Sequence, residues 1–246
     1  MSASPQHDLA QRALTLIDLT DLRDAMDDLD VARLMAQAQT PFGAVAAVCV
    51  WPQFVAQAHA HLKHSPVRVA TVINFPHGTD DENTCTQDAL EAVRDGAQEV
   101  DLVAPAHALL AGDEALYSSI IGSVADLLPQ NRLLKVILET GVLESASLIA
   151  RASELAIAAG AHFLKTSTGR AQVSATPEAA RVMLEVIKAS GKPVGFKASG
   201  GLKTLADVAP YFALADEIMG PEWIAPTTFR LGASGLLDEV LRVLKA

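Results

Sequence analysis

The sequence predicts a single-domain (β/α)8 TIM barrel spanning residues 1–246. Three observations predict it. Eight short apolar runs recur roughly 30 residues apart, about the length of a strand plus its crossover helix in a parallel sheet. The segments between them carry helical apolar spacing and capping residues. No Pro/Ser-rich or charge-dense linker interrupts the series, and half of the residues are apolar, enough for one full core. A doubly wound open sheet is the weaker alternative.

The runs are LTLIDLT (14–20), AVAAVCV (44–50), RVATVINF (68–75) and EVDLVAP (99–105), followed by LLKVILE (133–139), HFLKTST (162–168), PVGFKAS (193–199) and FRLGAS (229–234). Each is short, apolar and bounded by turn residues, as a strand buried on both faces requires. Between the fifth and sixth runs, SLIARASELAIAAG has helical apolar spacing. Between the sixth and seventh, Thr176 reads as an N-cap, Pro177 as the first helical residue, Glu178 as first-turn acid and Gly191 as the stop. EIMG (217–220) could pass for a strand but reads as the end of a helix begun near Leu205, and LLDEVLRVL follows the eighth run.

A formal net charge of −10 argues against nucleic acid or an anionic membrane as partner. Cys49 and Cys85 form no disulfide framework and no metal-type spacing. The N-terminus lacks a signal-peptide pattern, and no apolar run approaches the roughly 18 residues of a membrane span. A cytoplasmic protein is expected.

Two lysines carry the most information. Lys165 in HFLKTSTG and Lys197 in VGFKASGG sit near the ends of consecutive strand runs, where lysine is seldom buried without a partner. Side chains alternate along a strand, so Phe163, Lys165 and Ser167 share one face, as do Gly195, Lys197 and Ser199, and Glu99, Asp101 and Val103. Neighbouring strands about 4.8 Å apart would bring both amines together. An ordinary lysine has a pKa of about 10.4, so nucleophilic use near neutrality needs a depression worth roughly 4 kcal/mol. Repulsion between two ammonium groups about 4 Å apart supplies that much at an effective dielectric of about 20. The competing reading is a simple ion pair with Asp101 or Glu139, which is the reading adopted for Lys135. Asp101 and Asp18, also near strand ends, complete an expected polar cluster.

The sixth, seventh and eighth runs lead into glycine and hydroxyl residues. The sixth run ends through Thr166 and Thr168 and is followed by Gly169 and Arg170, Gly200, Gly201 and Lys203 follow the seventh, and Gly232 and Ser234 close the eighth before Gly235. Backbone amides, a helix N-terminus and two cations make an anion cradle where this fold commonly holds phosphate. A phosphate ester is the expected substrate.

Taken together, DLVAPAHALLAGDE, LKVILETG, LKTSTG, ATPEAARVMLEVI, GFKASGGLKT and LGAS resemble bacterial deoxyribose-phosphate aldolase, from about Leu16 to Leu241. The resemblance implies reversible cleavage of 2-deoxy-D-ribose 5-phosphate to D-glyceraldehyde 3-phosphate and acetaldehyde, without metal or organic cofactor. It implies that Lys165 forms the imine, Lys197 tunes it, Asp101 belongs to the proton relay and Asp18 lies beside the site. Cys49 corresponds to a cysteine near the pocket in relatives, although a small apolar filler is the plainer role. A homo-oligomer, a dimer, is expected. Some residues depart from the pattern: Arg170 stands for lysine, Lys203 for arginine, Gly235 for a second serine and Ala104 for a bulky aromatic. The sequence ends at Ala246, so the tyrosine-ended tail of some relatives is not expected. Two rival readings are a Schiff-base aldolase for a ketose phosphate and a non-catalytic sugar-phosphate-binding barrel. His59, His61 and His64 lack a metal-ligand pattern, His77 reads as loop or pocket wall, and Trp51 and Trp223 read as packing.

Overall fold

The structure, a computed structural model, describes residues 4–246. Eight parallel strands close into the predicted (β/α)8 barrel: β1 (Ile17–Thr20), β2 (Ala47–Val50), β3 (Arg68–Ile73), β4 (Glu99–Val103), β5 (Leu133–Ile137), β6 (Phe163–Lys165), β7 (Gly195–Ser199) and β8 (Phe229–Ala233), with β8 paired back to β1. Parallel pairing obliges the chain to return along the outside between strands.

Helix α1 (Pro5–Leu14) precedes the barrel, α2 (Asp28–Gln37) follows β1, α3 (Val55–Leu62) follows β2 and α4 (Glu82–Arg94) follows β3. Beyond β4 come α5 (Ala106–Leu110) and α6 (Glu114–Leu127), and beyond β5 come α7 (Thr140–Leu143) and α8 (Ala146–Ala158). The last three helices are α9 (Pro177–Ser190), α10 (Leu205–Met219) and α11 (Leu236–Leu244), after β6, β7 and β8.

Local chemistry sets these boundaries. Thr176 caps α9 by accepting from the Ala179 amide at 3.1 Å, and Gly191 ends it at φ 64°. A reciprocal Thr204–Asp207 box opens α10, which runs through EIM to Met219 as read from the sequence. Several strands are shorter than their apolar runs. Leu14 closes α1, so β1 begins only at Ile17. Gly43 and Ala44 pair with Gln39 and Thr40 in a small antiparallel ladder, so β2 begins at Ala47. Beyond β5, Glu139 turns to φ 55°, which ends the extended backbone.

The main apolar core lies between the outer strand faces and the helices, around Val48, Val100, Val136, Leu164, Phe196 and Leu231. Inside the barrel a smaller cluster of Cys49, Ala70 and Val72 leaves room for a charged layer. Beneath that layer the Phe163 ring fills the space left by Gly195, where an added Cβ would lie 2.4 Å from the ring. Among the described residues, no helix is long and apolar enough to cross a membrane.

Candidate active site

Strand register brings the charged residues together. Lys165 and Lys197 are direct cross-strand partners on β6 and β7, Lys197 is opposite Arg230 on β8, and Asp101 on β4 is opposite Lys135 on β5. Asp101 is the hub: Oδ1 accepts from Lys135 Nζ at 2.7 Å, while Oδ2 accepts from both Lys165 and Lys197 at 2.8 Å. Asp18 accepts from Lys197 at 2.5 Å and from Arg230 at 2.6 Å. Glu99 takes Lys135 at 2.6 Å and the Arg230 guanidinium at 2.8 Å. Arg230 also stacks over the Phe163 ring, 5.7 Å from its centroid.

This arrangement separates the two amines chemically. Burial, reinforced by Lys197 and opposed by Asp101, holds Lys165 below the usual lysine range. Burial also acts against the charge on Lys197, but Asp101 and Asp18 outweigh it and hold that amine above the usual range. Asp101 and Asp18 pay the desolvation of burial yet stay well below the ordinary carboxylate pKa, because lysines surround the first and Lys197, Arg230 and Lys135 the second. The cause of the Lys165 depression therefore differs in weight from the sequence argument: burial leads, and ammonium repulsion adds to it. Lys135 pairs with Asp101 and Glu99, whereas Glu139 faces Thr168.

Above the layer lies a cavity of about 520 Å³ at the carboxyl ends of the strands. Of the enclosed charged groups only Lys165 reaches its lining; Lys197, Asp101 and Asp18 lie beneath it at 0% exposure. One side of the cavity is built from Gly169, Gly200 and Gly201, whose φ angles of 80°, 92° and 81° only glycine adopts without strain. Arg170, Lys203, Gly232 and Ser234 complete that side. Gly235 caps α11 without a side-chain hydrogen bond, so the first amides of that helix stay free beside Ser234.

Two predicted residues, Thr166 and Cys49, lie away from the cavity lining. Thr166 is fully buried and ties β6 to β7, donating to the Ser199 carbonyl and accepting from its amide at 3.0 Å, so it does not line the cavity. Cys49 is buried in the inner apolar cluster, and burial pushes its thiol up to about 11. Gly232 lines the cavity for a reason of space, since a Cβ there would lie 2.9 Å from Lys197 Cε. Sequence reasoning did not single out Arg230 or assign Glu99 a partner, although strand alternation puts Arg230 on the same face as Gly232. It offered Glu139 as a partner for an inward lysine, whereas the Glu139 carboxylate holds the Thr168 amide and hydroxyl. His77 lines a neighbouring chamber, His59, His61 and His64 are exposed, and Trp51 packs edge-on against Phe75.

The DeoC/LacD family aldolase pattern matches residues 12–217. This chain belongs to that aldolase family. It is 49% identical over 245 residues to the deoxyribose-phosphate aldolase of Agrobacterium fabrum, covering 99% of this chain and 95% of that one. Solved structures agree. The apo form of a Toxoplasma gondii ME49 protein classed as a deoxyribose-phosphate aldolase superposes with a TM-score of 0.89 at 25% identity, covering 98% of this chain and 97% of that chain. The tetrameric deoxyribose phosphate aldolase from Aeropyrum pernix shares the fold, with a TM-score of 0.74 at 24% identity and coverage of 98% and 91%. An aldolase of the DeoC/LacD family is thus an enzyme of carbon–carbon bond cleavage and formation, built here around buried amines.

Proposed function

We propose that this enzyme is a class I aldolase that cleaves 2-deoxy-D-ribose 5-phosphate reversibly to D-glyceraldehyde 3-phosphate and acetaldehyde through an imine on Lys165. One observation carries the reading: of two amines sharing a carboxylate oxygen, the one with the depressed pKa is also the one that reaches the cavity. The 49% identity to the Agrobacterium fabrum deoxyribose-phosphate aldolase supports this choice of substrate.

Neutral Lys165 adds to C1 of the open-chain sugar, and the carbinolamine loses water to give an iminium. Transfer of the C3 hydroxyl proton to a water steered by Asp101 and Lys197 then lets the C2–C3 bond break. The bonding pair flows into the iminium, leaving an enamine on Lys165 and releasing C3 as the aldehyde of glyceraldehyde 3-phosphate. Protonation at C2 and hydrolysis free acetaldehyde and return the amine. Lys197 stays charged and helps to keep Lys165 neutral. Asp101, held firmly ionised, is a weak base. Its part is to steady both nitrogens and to lead protons between them and a bridging water. Asp18 fixes Lys197 from the other side. The phosphate sits in the glycine-lined side, on the free amides of α11 with Lys203, Arg170 and Ser234 around it. No metal or organic cofactor enters these steps, and cytoplasmic action as a homo-oligomer belongs to the same proposal.

Borohydride reduction in the presence of acetaldehyde, followed by peptide mass spectrometry, tests the reading. Wild type should carry an ethyl group on Lys165, Lys165→Met none, and Lys197→Leu a reduced amount on Lys165. An adduct lost only in Lys197→Leu would reverse the two roles. An adduct formed with dihydroxyacetone phosphate but not acetaldehyde would point to a ketose phosphate instead.

A further inference from the structure

Glu139, at the end of β5, stands out among the buried groups that the mechanism leaves unused. It is 7% exposed, and none of the ion pairs among the described residues includes it. It is also a non-glycine residue at φ 55° and ψ 61°. A buried carboxylate without a cation and a left-handed backbone each cost stability, and both occur at one position on the rim of the site. What they provide is a fixed geometry. The carboxylate accepts from the Thr168 amide at 3.2 Å and from the Thr168 hydroxyl. That hydroxyl in turn accepts from the Arg170 amide at 3.0 Å. Next in the chain, the Thr140 amide donates to the Thr166 carbonyl at 2.9 Å, so the two strand ends remain tied past the last sheet pair. The loop so held spans the cavity: Arg170 donates to the Leu22 carbonyl at 2.5 Å and lies 3.5 Å from Asp24 on the β1 side.

We propose that Glu139 is a positioning residue that acts through Thr168 to hold the Gly169–Arg170 turn against the phosphate end of the substrate. The inference rests on the reading above for the location of the phosphate. Burial raises the pKa of Glu139, and the Thr168 hydrogen bonds, with Lys165 behind them, oppose that rise without cancelling it. The arrangement puts the main effect on substrate binding, since Glu139 meets the cavity only through Thr168 and makes no hydrogen bond to the Asp101 hub.

Steady-state cleavage of 2-deoxyribose 5-phosphate by wild type, Glu139→Ala, Glu139→Gln, Thr168→Val and the double variant Glu139→Ala/Thr168→Val tests this, with thermal melting to identify variants that do not fold. Glu139→Ala should raise KM about tenfold, the equivalent of one hydrogen bond to a charged group, with a smaller change in kcat. Glu139→Gln keeps an accepting oxygen and should recover most of the loss. The double variant should be no worse than the poorer single one, because both break one chain of hydrogen bonds. Additive losses, a fall confined to kcat, or an unchanged KM in a folded Glu139→Ala enzyme would each overturn the proposal. If Glu139→Ala does not fold, Glu139→Gln and Thr168→Val decide it by the same KM measurement, with a raised KM expected only for Thr168→Val. Failure of the wild type to form the acetaldehyde adduct would instead reject the reading beneath it.

Discussion

Lys165 and Lys197 donate to the same atom, Asp101 Oδ2, each at 2.8 Å. Two full ammonium charges on one oxygen would repel strongly, and charge counting shows how the repulsion is relieved. The enclosed layer holds three carboxylates, Asp18, Glu99 and Asp101, against four bases, Lys135, Lys165, Lys197 and Arg230. Neutral Lys165 leaves three charges of each sign. Arg68 approaches Glu99 at 3.7 Å from a solvated position, where its charge is screened. The layer therefore favours loss of one proton, and Lys165, with a single carboxylate partner and a lowered pKa, holds its proton least firmly.

Lys197→Leu should move the acid limb of the kcat/KM profile to higher pH. Removing the ammonium leaves Asp18 and Asp101 undercompensated, which raises the Lys165 pKa. Each unit of that rise costs about tenfold in neutral amine at a fixed pH below it. A pH–rate profile from pH 5 to 10, in the range where the protein stays folded, reads the displacement; an acid limb at the wild-type position would contradict the charge count.

Asp101→Asn removes the hub rather than a spoke. Three buried nitrogens lose their shared charge partner, and breaking such buried pairs costs about 3–5 kcal/mol. For a chain of this size that corresponds to a fall of roughly 10 °C in Tm. Calorimetry should show that fall together with near-complete loss of turnover, whereas an unchanged Tm would mean that the layer tolerates an unbalanced charge.

Acid stability follows from the same layer. Asp18 and Asp101 have folded pKa values below their unfolded ones, so their contribution is fully present above the usual carboxylate pKa of about 4 and is lost as pH falls toward the folded values. Lys197 has a raised folded pKa, so its contribution is present below about 10 and is lost as pH rises through the folded value. Urea midpoints measured against pH should therefore fall steeply below pH 4. A decline beginning near neutrality would mean that other groups dominate.

Gly232→Ala should damage catalysis chiefly by crowding Lys197. Its Cβ would lie 2.8 Å from Ser199 Oγ and 2.9 Å from Lys197 Cε, and Lys197 is held on both sides by aspartates. Relief requires moving Lys197 off Asp101, at a cost of about 1–3 kcal/mol for overpacking. The expected result is a lower kcat with KM nearly constant, and a modest loss in Tm.

Much of this was legible in the sequence because alternation along a strand is a two-state code. Once the runs at 162–168 and 193–199 are strands, Lys165 and Lys197 must face inward together, and parallel register makes them partners. The same code would have found Arg230 from its parity with Gly232. Glu139 was read as a possible lysine partner, and its actual partner escaped because the contact depends on a left-handed turn that ordinary propensity disfavours and on a residue 29 positions away. Thr166 was misplaced for a related reason. It lies beyond the last residue of β6, where alternation no longer says which way a side chain points, and its hydroxyl turns to Ser199 instead of the cavity.

Gly235→Ser offers the most direct reading of the phosphate end. Gly235 caps α11 at φ −108° and ψ −8°, a conformation open to serine, and nothing lies within 4 Å of the Cβ that would be added. The substitution therefore adds a hydroxyl without strain. That hydroxyl can accept from the free amides of α11, worth only a few tenths of a kcal/mol over glycine, or donate to a phosphate oxygen beside Ser234. The second use is the stronger, since a hydrogen bond to a charged group is worth about 1.5–3 kcal/mol. If phosphate sits at this helix end, KM for 2-deoxyribose 5-phosphate should fall by up to about tenfold, with kcat and Tm close to wild type. The unphosphorylated sugar serves as the control. An equal gain for both sugars would mean that the hydroxyl acts on the helix alone, and the phosphate would then have to lie elsewhere in the cavity.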